Sequence, residues 1–259
     1  MRVDLHNHTP LCNHATNTPR ATVLKAIKEG IDIYGFSDHA PMDYDREYRM
    51  SFEQMSEYEK EILELKDEFK EQIDIRLAYE VDFIQGLVDS RVLRANVDYL
   101  IGSVHFLDGW GFDNPEYIKV YKNRDIDKIW QEYFDAIEAM VNSGYFQIVG
   151  HIDLMKVFNY LPKKDIKLIA KDAISAIKKS GMSVEINSAG WRKPVKEGYP
   201  SKEILQICYE KDIPITFSSD AHKIEDIGFA YEKSVALAKE VGYSKCVSYI
   251  NRDIQLHKF

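Results

Sequence analysis

Short apolar runs alternate with longer amphipathic segments along the whole chain. The apolar runs are typical of buried strands and cover residues 2–6, 34–38, 75–79, 100–104, 147–150 and 215–219, with a strand also ending near 187. Apolar residues at helical spacing predict helices over 18–29, 51–71, 125–143, 164–180, 201–211 and 224–241. This alternation predicts a mostly parallel sheet with helical crossovers.

Polar side chains follow the ends of the apolar runs. Histidine or a carboxylate comes at or just after each of six strands, at His6, His8, His39, Glu80, His105, His151, Asp220 and His222, while His14 lies in a loop. His6 and His8 are two residues apart, as are Asp220 and His222, so each pair projects from the same side of an extended chain. Imidazole and carboxylate are common ligands of divalent metals, so these residues predict a metal site.

The positions of these residues favour a closed barrel over a doubly wound open sheet. A barrel gathers its strand ends in a ring at its C-terminal face, where residues from the whole chain can share one pocket. No Pro/Gly/Ser-rich linker interrupts the pattern, so we predict one domain over residues 1–259. An eighth strand at 245–249 is left open. The apolar stripe of helix 51–71 favours an outer helix over a coiled-coil seam.

Composition narrows the class of protein. The net charge of −8 argues against a nucleic-acid partner, which usually requires a basic surface. No apolar run is long enough for a membrane span, and no signal-peptide pattern opens the chain. The three cysteines suggest no disulfide framework, so a cytoplasmic location is expected.

Several residues keep alternative interpretations. A single strand-end histidine is more often structural, Asp220 alone could cap a helix, and Glu80 alone could form an ion pair. Cys12 could contact a metal, but a buried packing role is favoured. Asp38 and Asp82 are expected to support ligands and not to bind metal themselves.

The ordered segments His6-Asn7-His8, Ser37-Asp38-His39, Glu80, Gly102–His105, Gly150-His151 and Ser219–His222 resemble those of the PHP (polymerase and histidinol phosphatase) superfamily. The resemblance implies a single-domain distorted (β/α)7 TIM-like barrel with a metal site at the C-terminal face of its strands. It also implies one ion on His6, His8, Glu80 and Asp220, a second on Glu80, His105 and His151, and a third on His14, His39 and His222. Two to three divalent ions are therefore expected, and nitrogen and oxygen ligands accept Zn, Mn or Fe.

Such a site suits phosphate-ester hydrolysis. Clustered metals can activate a bridging hydroxide for attack on phosphorus and neutralise charge on the phosphate. Asp220 and His222 are the expected catalytic residues of the metal site, and either Asp220 or a metal-bound water could protonate the leaving group.

Two further segments narrow the resemblance to L-histidinol-phosphate phosphatases of histidine biosynthesis. They are the loop after Glu185, which carries Arg192 and Lys193, and the run 102–110, which ends at Trp110. We expect Arg192 to act in catalysis and to bind phosphate with Lys193. Lys156 is a weaker substrate-binding candidate, and Trp110 could stack on the substrate imidazole.

Other functions remain open from the sequence. A PHP-type phosphoesterase or nuclease acting on another phosphate ester is the main alternative, although the acidic net charge speaks against a nuclease. A non-enzymatic metal-storing or regulatory domain would not need Arg192 or Lys193. An amidohydrolase would usually carry a bridging lysine at a strand end, and none is apparent. The sequence does not indicate an oligomeric state.

Overall fold

Seven parallel strands form the central sheet of the computed structural model, which describes residues 1–259. The bounds of these strands are β1 Val3–Asp4, β2 Ile33–His39, β3 Asp74–Asp82, β4 Tyr99–Ser103, β7 Ile148–Val149, β8 Ser183–Asn187 and β9 Ile215–Ser218. Their order in the sheet is β1-β2-β3-β4-β7-β8-β9. Two small antiparallel hairpins are separate from this sheet, namely β5 Phe106–Leu107 with β6 Trp110–Gly111, and β10 Lys245–Ile250 with β11 Asp253–Lys258.

Helices lie between the strands, close to the predicted positions. They are α1 Pro19–Lys28, α2 Met55–Glu68, α3 Ser90–Leu93, α4 Ile126–Asn142, α5 Ile166–Ile169, α6 Lys171–Ser180, α7 Lys202–Glu210 and α8 Tyr231–Val241. Ser201 caps α7 by accepting a hydrogen bond from the backbone of Ile204. The prediction for 224–241 was wrong at its start, because Gly228 and Ala230 have positive φ angles of 65° and 52° that interrupt a helix.

The sheet closes into a nearly complete barrel between its first and last strands. The backbone N–H of Leu5 donates to the carbonyl of Phe217 at 3.0 Å, and that of Asp220 donates to the carbonyl of His6 at 2.8 Å. A further parallel bridge joins Asn7 and Ala221. The predicted seven-stranded distorted barrel is therefore confirmed.

Large apolar side chains fill the barrel. The interior cluster includes Leu5, Ala78, Ile101, Ile186 and Phe217, all buried. Tyr99 crosses this space and donates its hydroxyl hydrogen to the carbonyl of Leu5. A Cβ at position 35 would lie 1.8 Å from that hydroxyl oxygen, so glycine is required there.

The doubtful eighth strand is not part of the barrel. Residues 245–250 form a strand, but it pairs antiparallel with β11 and the resulting hairpin covers the amino ends of the barrel strands. Arg76, near the start of β3, donates to the carbonyl of Tyr249 at 2.8 Å, and the Tyr249 hydroxyl donates to the carbonyl of Gln147 at 3.0 Å. The hairpin therefore closes the end of the barrel opposite the histidines that follow the barrel strands.

Candidate metal centre and substrate site

All nine predicted metal ligands lie at or beyond the carboxyl ends of the barrel strands. His6 and His8 extend β1, His39 ends β2, and Glu80 lies near the end of β3. Residues His105, His151, Asp220 and His222 follow β4, β7 and β9, and His14 follows a short turn after β1. The parallel register of β2 and β3 sets His39 beside Glu80. The topology therefore brings the predicted ligands into one cluster.

Glu80 is at the centre of this cluster. Its Oε2 lies 3.3 Å from His6 Nε2 and 3.0 Å from His39 Nδ1. Its Oε1 lies 3.0 Å from His151 Nε2 and accepts a hydrogen bond from Ser103 at 2.6 Å. The carboxylate thus faces imidazoles on both sides, as expected for a bridging ligand.

Four groups of possible metal ligands lie in this cluster, one of them formed by His8, Cys12 and His222. The other three surround Glu80. His6, His8 and Glu80 form one, Glu80, His105 and His151 a second, and His14, His39 and His222 a third, with the ligand atoms of each group within 4.8 Å of one another. Asp220 joins the first group through its Oδ1, which lies 3.3 Å from His8 Nε2. These groups match the three predicted sets.

Carboxylates orient three of the imidazoles from behind. Glu185 accepts from His6 Nδ1 at 2.9 Å, Asp38 accepts from His8 Nδ1 at 3.3 Å, and Asp82 is bonded to His105 Nδ1. Each partner fixes the ring so that Nε2 points towards the cluster, an arrangement typical of metal-binding histidines. The predicted supporting roles of Asp38 and Asp82 agree with these contacts.

Glu185 was not predicted as part of the site. It is fully buried and also accepts the backbone N–H of His151 at 2.6 Å and the side-chain amide of Asn187 at 2.9 Å. Its signal in the sequence was a charged residue in the middle of an apolar strand, since a buried carboxylate is rarely left unpaired.

The electrostatics of the cluster keep its two carboxylates ionised. Burial alone would raise the pKa of Glu80, but the nearby His6 and His39 outweigh it and hold that pKa well below its usual value. Asp220 behaves in the same way, through His6 and a hydrogen bond from His8. Burial lowers the pKa of His8, yet the neighbouring carboxylates of Asp220 and Asp38 raise it overall to about 9. Both carboxylates therefore stay ionised.

Asp220 has a left-handed backbone conformation, with φ of 51°. Its Oδ2 accepts a hydrogen bond from Asn187 at 3.0 Å. An aspartate in this region of conformational space is held there by its surroundings, and such strain is concentrated at functional sites.

Arg192 lies against the same turn. Its Nη2 donates to the carbonyls of Ser219 and Asp220, both at 2.9 Å, while Nη1 is buried without a hydrogen-bond partner. The planar guanidinium is thus fixed beside the predicted metal ligands, with its Nη1 unpaired. Lys193, the next residue, is exposed and its ammonium makes no hydrogen bond or ion pair.

The structure does not support the proposed substrate contact of Lys156. The side chain is buried, and its ammonium lies 2.9 Å from Asp153 and 2.7 Å from Glu197 and donates to the carbonyl of Gly198 at 2.8 Å. These three acceptors use all its donors. Lys156 instead connects the segment after β7 to the end of the Arg192 loop.

Trp110 is also placed differently from the prediction. Its side chain is buried in the outer core, packed edge-on against Tyr121 with ring centroids 4.7 Å apart and under the guanidinium of Arg124 at 5.2 Å. A ring held between these groups is not free to stack on a substrate.

Comparisons with known proteins agree with this arrangement. The family model described as PHP domain matches residues 4–189, and the one described as PHP-associated matches residues 202–241. Asp220 and His222 lie in the second segment, so both matched segments contribute to one cluster. The chain therefore belongs to the PHP family.

Proteins similar to this chain are named for one specific activity. The chain is 38% identical over 257 residues to a protein of Deinococcus radiodurans named "Probable histidinol-phosphatase", covering 97% of this chain and 98% of that one. It is 30% identical to the histidinol-phosphatase of Bacillus subtilis, covering 88% of this chain and 96% of the relative. The structure of histidinol phosphate phosphatase from Lactococcus lactis, complexed with zinc, L-histidinol and phosphate, has a TM-score of 0.81 at 22% identity, with 98% of both chains covered. No helix is both long and apolar enough to cross a membrane.

Proposed function

We propose that this protein is a metal-dependent phosphomonoesterase that hydrolyses L-histidinol phosphate to L-histidinol and phosphate. The observation that carries the proposal is the Glu80-centred cluster with the free Arg192 donor beside it, in a chain 38% identical over nearly its whole length to a relative named for this activity. We further propose that residues 1–259 act as one domain, because the C-terminal hairpin is bonded to the barrel strands.

The residues present fit divalent ions. Buried ring nitrogens without hydrogen-bond partners face the cluster, among them His6 Nε2, His8 Nε2, His39 Nδ1 and His222 Nε2. Such orphaned atoms are rare in proteins and are expected where a ligand belongs. We propose that two to three ions are held by the predicted sets, namely His6, His8, Glu80 and Asp220, then Glu80, His105 and His151, then His14, His39 and His222.

The ions would supply Lewis acidity and would make hydroxide available for attack on phosphorus at neutral pH, by lowering the pKa of water. The chain supplies the positioning. Glu80 fixes the imidazoles on both sides of it, and Asp220 is held by Asn187 so that its Oδ1 faces His8. Arg192 Nη1 would donate to a phosphate oxygen, because Nη2 is already engaged with the backbone.

The test is phosphate release from L-histidinol phosphate by metal-loaded protein. We expect kcat/KM at least about 100-fold above that for a generic aryl phosphate, since a site that hydrogen-bonds a specific substrate rejects one lacking those groups. Equal turnover of the two would contradict the substrate assignment and leave the phosphatase class standing. Degradation of single-stranded DNA at a comparable rate would favour the nuclease alternative.

Arg192→Met and Lys193→Met form a matched pair for the phosphate contact. Removing a charged hydrogen bond costs about 1.5–3 kcal/mol, so Arg192→Met should raise KM by about 10- to 100-fold. The exposed Lys193 acts through solvent, and its loss should raise KM less than about 3-fold. Unchanged KM in Arg192→Met would contradict this role.

Removing the ions tests the metal requirement separately. Elemental analysis of active protein should give two to three divalent ions per chain, and chelation should abolish phosphate release until metal is restored. Activity that survives complete chelation would contradict the metal-dependent mechanism. Parallel reconstitution with Zn, Mn or Fe would rank the three candidates.

A further inference from the structure

Cys12 is a buried thiol beside the cluster that the proposed ligand sets leave unused. Its side chain is completely buried. Its sulfur and one ring nitrogen from each of His8 and His222 lie within 4.8 Å of one another. Sulfur and nitrogen ligands of one tetrahedral zinc ion are about 3.6 Å apart, so small side-chain adjustments would bring these three atoms around one ion.

A second observation points to a ligand at the same place. The His8 side chain is fully buried and its Nε2 has no hydrogen-bond partner, and the Nε2 of His222 is also buried without one. The buried sulfur and these two imidazole nitrogens make no hydrogen bonds with one another that would explain why they lie so close together. An ion held by His222 would account for the sulfur and for the His222 nitrogen, while the His8 nitrogen faces the neighbouring proposed ion.

The local backbone explains how the sulfur comes to face inward. Thr9 caps the short turn Pro10–Cys12 by accepting the backbone N–H of Leu11 at 3.3 Å. Asn13 then has a left-handed φ of 66°, which reverses the chain after Cys12. The sulfur therefore points into the cluster, whereas His14 lies at its exposed rim.

The competing role for Cys12 is a hydrogen bond to Asp38. That carboxylate already accepts the backbone N–H of Thr9 at 3.1 Å and that of His39 at 2.8 Å, together with the Thr9 hydroxyl. His8 Nδ1 is also bonded to it at 3.3 Å. Asp38 keeps these four donors if the thiol turns to an ion, although burial and the same carboxylate raise the pKa of the Cys12 thiol well above its usual value.

We propose that Cys12 binds as a thiolate to the ion held by His222, and that this position of the cluster favours zinc over manganese. The inference rests on the metal-dependent function proposed above. On coordination the thiol releases its proton to solvent and the S–metal bond forms, without any change of oxidation state. Soft thiolate ligands select zinc over manganese, which prefers oxygen donors.

The test is the absorption spectrum of the cobalt-loaded protein without substrate. Metal-free protein titrated with Co²⁺ should develop a near-ultraviolet thiolate-to-cobalt charge-transfer band. Cys12→Ser should lack the band. Cys208→Ser is the matched control and should retain it, because Cys208 is equally buried but lies in α7.

Absence of the band in the cobalt-loaded native sequence would overturn the proposal, whatever the fate of the variant. Its persistence in Cys12→Ser would overturn it as well. Competition with a chelator adds a second measurement, in which Cys12→Ser should lose at least about 10-fold in zinc affinity at one site but little in manganese affinity. Equal losses for both metals would contradict the thiolate.

This outcome is separate from the proposed reaction. A cobalt–thiolate band in protein that does not hydrolyse L-histidinol phosphate would refute the reaction and leave the Cys12 ligand standing. An active enzyme without the band would refute the Cys12 ligand and leave the proposed reaction standing.

Discussion

The two ends of the barrel differ in how their buried titratable side chains are hydrogen-bonded. At the carboxyl end, buried imidazole nitrogens such as His6 Nε2 and His222 Nε2 have no hydrogen-bond partner. At the amino end, Asp98 accepts the backbone N–H of Leu77 at 3.1 Å and that of Asn251 at 3.2 Å, and it also accepts a hydrogen bond from the Lys66 ammonium at 3.2 Å. The unpaired imidazoles are thus confined to the carboxyl end, whereas the buried carboxylate at the amino end is fully hydrogen-bonded.

This difference separates function from stability. A cluster of unpaired buried imidazoles is expected where a ligand completes it, and in barrels of this kind that is the carboxyl face. Fully bonded groups, in contrast, contribute to the folded state itself. We therefore expect substitutions at the carboxyl end to change activity and metal content, and substitutions at the amino end to change the free energy of unfolding.

Glu80→Gln should have the largest effect. The amide keeps the shape of the side chain but loses the charge that a bridging ligand supplies, so kcat/KM should fall by at least about 1000-fold, or about 4 kcal/mol. Bound metal should fall too, while the metal-free variant should unfold in urea no earlier than the metal-free parent. Glu59→Gln, on the outer helix α2, is the control and should keep full activity. Retention of a tenth of the activity by Glu80→Gln would end the bridging assignment.

Lys156 lies near the carboxyl end of the barrel, but its ammonium is fully hydrogen-bonded, as the Asp98 carboxylate is at the amino end. Lys156→Met removes one partner of a buried ion pair, which costs about 3–5 kcal/mol. Urea unfolding should show this loss, and KM of the folded fraction should change much less than in Arg192→Met. The exposed Lys163 supplies a control, since Lys163→Met should alter neither quantity. A large rise in KM with unchanged stability would restore the substrate contact that the sequence suggested.

The sequence predicted the clustering of these side chains because position and chemistry coincided. Each of His39, Glu80, His105 and His151 follows an apolar run, and parallel strands bring their carboxyl ends together whatever the details of packing. The second member of each i, i+2 pair needed no further information, since extended backbone fixes its direction.

Residues whose roles depend on tertiary neighbours were harder to predict. Lys156 resembled a phosphate ligand because its partner Glu197 is 41 residues away and gives no local signal. Glu185 was missed because it lies within a strand and not at its end. Trp110 was assigned to the substrate by residue type, although Tyr121 and Arg124 occupy its surroundings.

Asp98→Ala tests the amino end directly. The substitution leaves the backbone N–H of Leu77 without its acceptor and releases the hairpin turn at Asn251, which should cost about 3 kcal/mol in the free energy of unfolding. Metal content and kcat/KM should match those of the parent, because Asp98 is at the opposite end from the cluster. Asp98→Asn, which keeps one acceptor oxygen, should lose less. A fall in kcat/KM with unchanged stability would break the division between the two ends.

Tyr249 gives the smallest effect and a pH dependence. Its hydroxyl donates to the carbonyl of Gln147 at 3.0 Å, with Ser183 Oγ at 2.9 Å, and burial raises the pKa of the phenol to about 12. Tyr249→Phe should therefore cost about 1 kcal/mol at pH 8.

The sign of this difference should reverse in alkali. A tyrosine in the unfolded chain ionises near pH 10, whereas the folded one holds its proton up to about 12, so the folded state loses stability as pH rises between these values. That loss approaches about 2.7 kcal/mol and is absent from the phenylalanine variant, so the two curves of unfolding free energy against pH should cross near pH 11. Parallel curves would mean that the Tyr249 hydroxyl is not the buried group described here. Other buried tyrosines contribute equally to both proteins, so the crossing isolates one phenol at the amino end, where activity at pH 8 should be the same in both.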